Sequence, residues 1–530
     1  MFTAGTHLNP NITWWEQAHA FTDYLARCQF MLQQGLPVAD VCCYYGDQVP
    51  NFIPPDRGYW YELCPSLGDD YACDFADMET LLTRMQVRGG RLVLPDRMSY
   101  RLLVFPDDIA KGFPCHGQFI QPELLQKLLD LVSAGATIVW PRPSLAPGLR
   151  DHGRADGEIK SMADKLWGPV DGKSILEHRF GKGRVVRGKT VRQVLLDENV
   201  LPDFTCQPRA EPIEKRLAYI HRRVGETELY FVSNRDGRRW VDSGCFFRVH
   251  GKSPELWHPD TGEVKEQFAF EEVNGRTWLP LRLPPAGSIF VVFRHRSNAG
   301  RIVSASKDGR ALFSAQTPGK VDLASLEVES AGQATLAAVA SSPGEYVLTN
   351  ARSRVLSARV EKLPGPIALP GPWKLRFLRG PGAPQEVVLK KLLPWTEHDN
   401  PAVRYFSGTA AYETEFSLSQ DFFGERVRVY LHLGVVKELA EIRVNGRDCG
   451  LLWKIPFRAD VTNAVRPGKN QLEIKVTNLW PNRLIGDTFL PEGKQFTRTN
   501  IAAFTQNSPL LESGLLGPVE LHAAQLILLR

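Results

Sequence analysis

Apolar and polar positions follow three different rhythms along these 530 residues. At the start, Trp14, Phe21, Leu25, Cys28 and Leu32 recur at three- and four-residue steps, which predicts an amphipathic helix over 14–35. Thr13 stands at the N-cap position and Glu16 three places later, in capping-box spacing. Gly35 and then Pro37 supply the stop. The apolar run "PVADVCCYYG" reads as a strand ending at Gly46, followed by a loop with Tyr45 and Asp47. The same grammar continues to about residue 200. "DMETLLTRMQV" and "QPELLQKLLDLVSAGA" are helical, while "GRLVLP", "YRLLVFP", "TIVWP" and "GKGRVV" are strands. Alternation of this kind predicts a mostly parallel sheet with flanking helices.

From about residue 205 the period shortens. "RLAYIHRRVGETELYFVSNR" reads as two strands about a Gly-Glu turn, and "CFFRVHG", "PELWHPDTGEV", "TWLPLRLPPAGSIFVVFR" and "GEYVLTN" continue as short strands between Gly, Pro and Asn turns. This is β-sandwich patterning to about residue 360. "LPGPIALPGPWKLRF" leads into a further β domain, where Asn445-Gly446 between alternating runs is a strong hairpin signal. A two-sheet jelly roll fits residues 365–530 best. The expected division is 1–62, 63–204, 205–360 and 365–530.

Composition adds limits. The chain is 43% hydrophobic and 23% charged, with a net charge of +5 and no polybasic block, so nucleic acid is not suggested as a partner. No apolar run has membrane-spanning length, and "MFTAGTHLNP" lacks the features of a signal peptide. Nine scattered cysteines without a CxxC pair predict isolated buried thiols. "GKG" at 181–183 precedes its strand and is a turn rather than a phosphate loop. Cys115 and His116 are too close in sequence to signal a nucleophile elbow.

Chemistry concentrates in "GTHLNPNITWWEQ", Gly5–Gln17. Trp14 and Trp15 are either an apolar platform for a sugar face or core packing. His7, Asn9 and Asn11 either bond sugar hydroxyls or cap the loop. Glu16 is either a catalytic carboxylate or the capping-box Glu. Asp47 offers oxygen to hydroxyls or to calcium, or simply makes a turn. In "NLWPNRLIGD", Trp480 and Arg483 suit a sugar clamp, while an Arg483–Asp487 pair suits a pinned loop. Asp69, Asp70, Asp74 and Asp77 crowd one stretch without EF-hand spacing, which reads as a solvated loop.

Taken together, "GTHLNPNITWWEQAHAFTDYLARCQFMLQQGLPVADVCCYYGD", "ETELYFVSNR", "FRVHGKSPELWHPDTGEV", "LHLGVVKELAEIRVNGRDCGLLW" and "VTNLWPNRLIGD" resemble glycoside hydrolase family 106, the α-L-rhamnosidases. The resemblance implies a catalytic (β/α) barrel, a flavodoxin- or amidotransferase-like α/β domain, a β-sandwich and a galactose-binding-like jelly roll. It also implies inverting hydrolysis of rhamnosyl groups by two carboxylates, a calcium requirement, and an enzyme of the periplasm or exterior. On this reading residues 1–62 are the end of the barrel and the chain is the C-terminal part of the enzyme, active weakly or not at all alone. Glu16 would be the surviving carboxylate, most naturally the base, with His7, Asn9, Asn11, Trp14, Trp15, Tyr45 and Asp47 around the sugar. Both indoles should then be poorly covered. The competing reading is a non-catalytic carbohydrate-binding protein.

Overall fold

Val41–Tyr44 is buried at all four positions, which for a strand this short means cover on both faces. In the computed structural model it lies inside a six-stranded sheet, parallel to Cys73–Ala76 on one side and Leu102–Val104 on the other. Thr137–Val139 and Gly183–Val186 continue the parallel run, and Glu177–Phe180 closes it as an antiparallel edge. The structure describes residues 8–44, 67–105, 118–148, 152–207, 217–297, 300–316, 321–330, 336–499 and 503–529.

The described residues before the boundary expected at residue 62 pair with strands beyond it. Residues 41–44 belong to the α/β sheet, and Leu36–Pro37 pairs with Arg222–Arg223 of the sandwich. The strands described before residue 45 thus find partners in two later parts of the chain. Gly35 makes the crossing possible: its φ is +57°, and a Cβ there would sit 2.0 Å from the Arg223 carbonyl oxygen.

Helix Pro122–Ala134 buries Leu124, Leu125, Leu128, Leu131 and Val132 against the sheet. A second helix, His152–Trp167, packs beside it through Ile159, Ala163 and Leu166. The pattern "GRLVLP" forms a strand, Arg91–Val93, but in a separate three-stranded antiparallel sheet with Gln86–Arg88 and Ser99–Tyr100.

The block 205–360 divides. Residues 204–296 form a true two-sheet sandwich around Tyr230, Phe247, Leu279 and Val291. Its Gly225 turn joins Leu217–Val224 to Thr227–Asn234, as the pattern predicts. Beyond it, a four-stranded sheet from Ile302–Lys307 to Val355–Val360 shares its core with Ile527 and Leu529. Leu326–Ser330 and Leu336–Ala340 join the C-terminal strand Glu520–Leu528. One sheet therefore has strands on both sides of residue 360.

The jelly roll holds a second sheet around Thr409–Leu418, Gly468–Thr477 and Leu439–Val444, with a core led by Trp373, Trp395 and Tyr412. Asn445 and Gly446 both take positive φ, 51° and 78°, and Val444 pairs with Arg447 as a hairpin turn demands. The cysteines described, Cys28, Cys42, Cys43, Cys73, Cys206, Cys245 and Cys449, are not joined in disulfides. No helix among the described residues is long and apolar enough to cross a membrane.

A buried polar cluster ties the α/β sheet to the sandwich. The His221 ring lies between two carboxylates, with Nδ1 3.0 Å from Asp203 Oδ2 and Nε2 2.9 Å from Glu228 Oε2. It stacks on Tyr230 at 3.8 Å, and the Tyr230 hydroxyl donates to Asp203 at 2.9 Å. Arg248 reaches both Asp203, at 3.4 Å, and Asp40 of the first unit, at 2.7 Å. Burial opposes the charged imidazole, but the two carboxylates outweigh it and hold the His221 pKa above its ordinary 6.5. Asp203 and Glu228 are likewise penalised by burial, and His221 pulls both below their ordinary range.

Candidate functional site

The first described residues make a turn. Asn9 accepts at its side-chain oxygen from the Asn11 amide, 2.9 Å, and at its carbonyl from Ile12, 3.1 Å. Asn9 therefore caps the loop. Asn11 is joined to the far end of the chain, because the Trp480 indole N–H donates to its carbonyl at 2.6 Å. Next to it, the Thr13 hydroxyl donates to the Asn478 carbonyl. Asn478 is buried and is itself held by Phe406 and Gly408. The stretches 5–17 and 476–487, singled out separately in the sequence, thus meet in space. Trp480→Phe removes the indole donor together with part of the ring and is expected to lower stability by at least about 0.5–1.5 kcal/mol. Thermal unfolding measures that loss, and hydrogen exchange should show faster opening of residues 8–17 than in the parent.

The capping box is not formed. The helix begins as a 3-10 turn, Trp15–Gln17, with Trp14 at its cap and no side-chain cap bond, and continues as Ala18–Leu32. Thr13, the expected cap, spends its hydroxyl on Asn478 instead. Glu16 is therefore released from the cap and meets Arg379, with 2.5 Å between Oε1 and Nη1. Gln17 is buried and donates from Nε2 to Glu441 Oε1 at 2.7 Å.

The two indoles differ. Trp14 is half-buried and meets Phe21 edge to face at 6.4 Å. Phe21 in turn meets Trp453 of the jelly roll at 5.7 Å. Trp15 is 43% exposed. On the other face of the same helix, Cys28 packs on Leu229, Phe290 and Val292 of the sandwich. The helix is thereby wedged between two β units.

Thr13, Glu16, Gln17 and His19 form one wall of a cleft of about 590 Å³, and the jelly-roll sheet forms the other. Three carboxylates, Glu16, Glu441 and Asp448, alternate there with Arg379, Arg443 and Lys475. Lys475 Nζ lies 4.0 Å from Glu441 Oε2. Glu16 pushes the Arg379 guanidinium further above its ordinary range, through a hydrogen bond and then by charge. Such a recess suits a polyhydroxylated ligand, with carboxylate acceptors, cationic donors and an exposed indole nearby.

Of the residues named from sequence, Glu16 lines this cleft; Asn9, Asn11, Trp14 and Trp15 lie in the stretch leading to it; His7, Tyr45 and Asp47 fall outside the described residues. Arg379, Glu441 and Gln17 were not foreseen. Arg483 is no clamp: buried at 4%, it pairs with Asp487 at 3.1 Å, and Asp487 also accepts from the Phe496 and Thr497 amides. That pair pins the short helix Pro481–Asp487. The aspartates at 70–77 diverge, Asp70 to Arg192, Asp74 to the Tyr100 hydroxyl, and Asp77 to the Thr80 amide. No group of three or more His, Cys, Asp or Glu among the described residues is placed to hold a metal ion.

A family profile described as alpha-L-rhamnosidase, that of glycoside hydrolase family 106, matches residues 1–271. The chain belongs to this family. A profile for the galactose-binding domain-like module of family 2 glycosyl hydrolases matches residues 393–487, within the jelly roll. Among solved structures, a rhamnosidase from Novosphingobium sp. PP1Y is 31% identical with a TM-score of 0.75, over 98% of this chain and 42% of that one. A protein named a putative beta-glucuronidase, from Formosa agariphila, is 27% identical over 98% of this chain and 58% of its own length. The family 106 chain thus spans well under two thirds of either relative.

Proposed function

We propose that this chain serves the inverting hydrolysis of terminal α-L-rhamnosyl residues of plant polysaccharides or glycosides, with Glu16 as the general base. The observation that carries this reading is Glu16 itself: free of any cap bond and lining a polar cleft shared with the jelly roll. A base must be an acceptor with room for water beside it, and inversion places the general acid about 6.5–9.5 Å away. Trp15 offers an apolar face for the deoxy-sugar's methyl group. The same indole, with the galactose-binding-like module, also supports the second reading, a non-catalytic carbohydrate-binding protein.

Incubation with an aryl α-L-rhamnoside, with and without added calcium, separates the two. Weak turnover that releases the inverted anomer is the expected result, in keeping with a chain that spans only part of its relatives. Rhamnose binding without turnover would establish the second reading, and neither would overturn both.

A further inference from the structure

A second recess, of about 410 Å³, lies where the α/β unit meets the sandwich. Its walls come from the crossing segment 36–40, the Arg91–Arg101 hairpin region, the turn at Arg223–Gly225, and Arg248. Arg91, Arg97, Arg101, Arg223 and Arg248 all line it, and Asp40 is the acidic lining residue among those described. Both Asp40 oxygens are already engaged, by Arg101 Nε at 3.2 Å and Arg248 Nη2 at 2.7 Å. Arg223 is drawn to Glu228, 2.8 Å away and behind the wall.

Among the described residues, Arg91 has no carboxylate in its bonds. Nε donates to the Ser99 hydroxyl at 2.6 Å and Nη2 to the Ser99 carbonyl at 3.1 Å, neither of which carries charge. Burial, then Arg101, and after it Arg248 and Arg223, push this guanidinium below its ordinary range. Arg97 is exposed on the same turn, in the left-handed region at φ 76°. Beside these cations stands an apolar wall of Leu36, Pro37, Val38 and buried Met98.

The recess thus combines surplus fork-shaped donors with an apolar flank. Guanidinium matches carboxylate geometry two bonds at a time, and the volume suits a small ligand. A bare inorganic oxyanion would satisfy the donors and leave the flank uncovered, whereas a sugar ring covers it with C–H. We propose that this recess is an anionic subsite that binds the carboxylate of a uronic-acid unit, with Arg91 and Arg97 as its ligand-bonding groups. The saccharide in this assignment rests on the carbohydrate reading above; the anion site does not.

Calorimetry at low salt on the whole chain tests it with digalacturonate, L-rhamnose and inorganic phosphate. Digalacturonate should bind best. Arg91→Gln combined with Arg97→Gln should weaken it at least tenfold while leaving aryl rhamnoside hydrolysis unchanged. Arg97→Gln alone, on an exposed turn, should weaken it several-fold and preserves the fold if Arg91 proves structural. Digalacturonate binding no tighter than rhamnose, or undiminished in both variants, would overturn the subsite. Phosphate binding as tight as digalacturonate would overturn its assignment to a saccharide. Lost uronate binding with rhamnoside hydrolysis intact supports the subsite, whereas lost hydrolysis with uronate binding intact counts against the Glu16 reading alone.

Discussion

Glu16→Gln is expected to lower kcat/KM for an aryl α-L-rhamnoside by about 10²–10⁴-fold, the range for one general acid–base group. The substitution keeps the side chain's shape, and its amide oxygen still accepts from Arg379. What it removes is the basic carboxylate that, in the proposed role, takes water's proton. Both side chains of the Glu16–Arg379 pair are largely exposed, 63% and 67%, so the thermal midpoint should not move. Steady-state kinetics and thermal unfolding on the same preparations separate chemistry from folding. Arg379→Ala is the companion variant: it leaves the carboxylate in place but unanchored, and should raise KM as well as lower kcat. An unchanged rate in Glu16→Gln would reduce Glu16 to a surface partner of Arg379.

His221→Leu is expected to destabilise the protein by about 3–5 kcal/mol, the usual cost of removing one partner from a buried ion pair. Asp203 and His221 are each 1% exposed at the side chain, so neither charge has water to fall back on. The cluster also dictates a pH profile. The folded pKa of His221 lies above 6.5, so its contribution is complete below about pH 6.5 and is lost as pH rises through the folded value. Asp203 and Glu228 are depressed from 3.8 and 4.5, so theirs is complete above about pH 4.5 and is lost as pH falls. Denaturant unfolding at a series of pH values should show a plateau at mildly acidic pH in the parent, with the alkaline decline absent in His221→Leu. An unchanged alkaline limb would mean that the imidazole is neutral in the folded protein.

Local signals were readable where the physics is local. Asn445-Gly446 makes its hairpin because two consecutive positive φ angles suit few other pairs. The helix over 18–32 follows its apolar stripe. The cap was misread because a tertiary acceptor, Asn478, competes for the Thr13 hydroxyl, and nothing near Thr13 announces it. The continuous apolar run at Val41–Tyr44 says that the strand is buried without saying between which neighbours. Helix His152–Trp167 escaped notice because Gly153 and Gly157 dilute the stripe of Ile159, Ala163 and Leu166. Apart from Glu16, the cleft had no signature in the sequence. Gln17 and Glu441 stand 424 positions apart, and only the closed fold makes them neighbours.

The Thr13–Asn478 contact joins residues 465 positions apart, and Trp480–Asn11 joins residues 469 apart. Bonds of such reach are entropically expensive until everything between them has already condensed. The wall carrying Glu16 is consequently expected to close late in folding. A sugar held across that seam would act as a latch, tightening both ends of the chain at once.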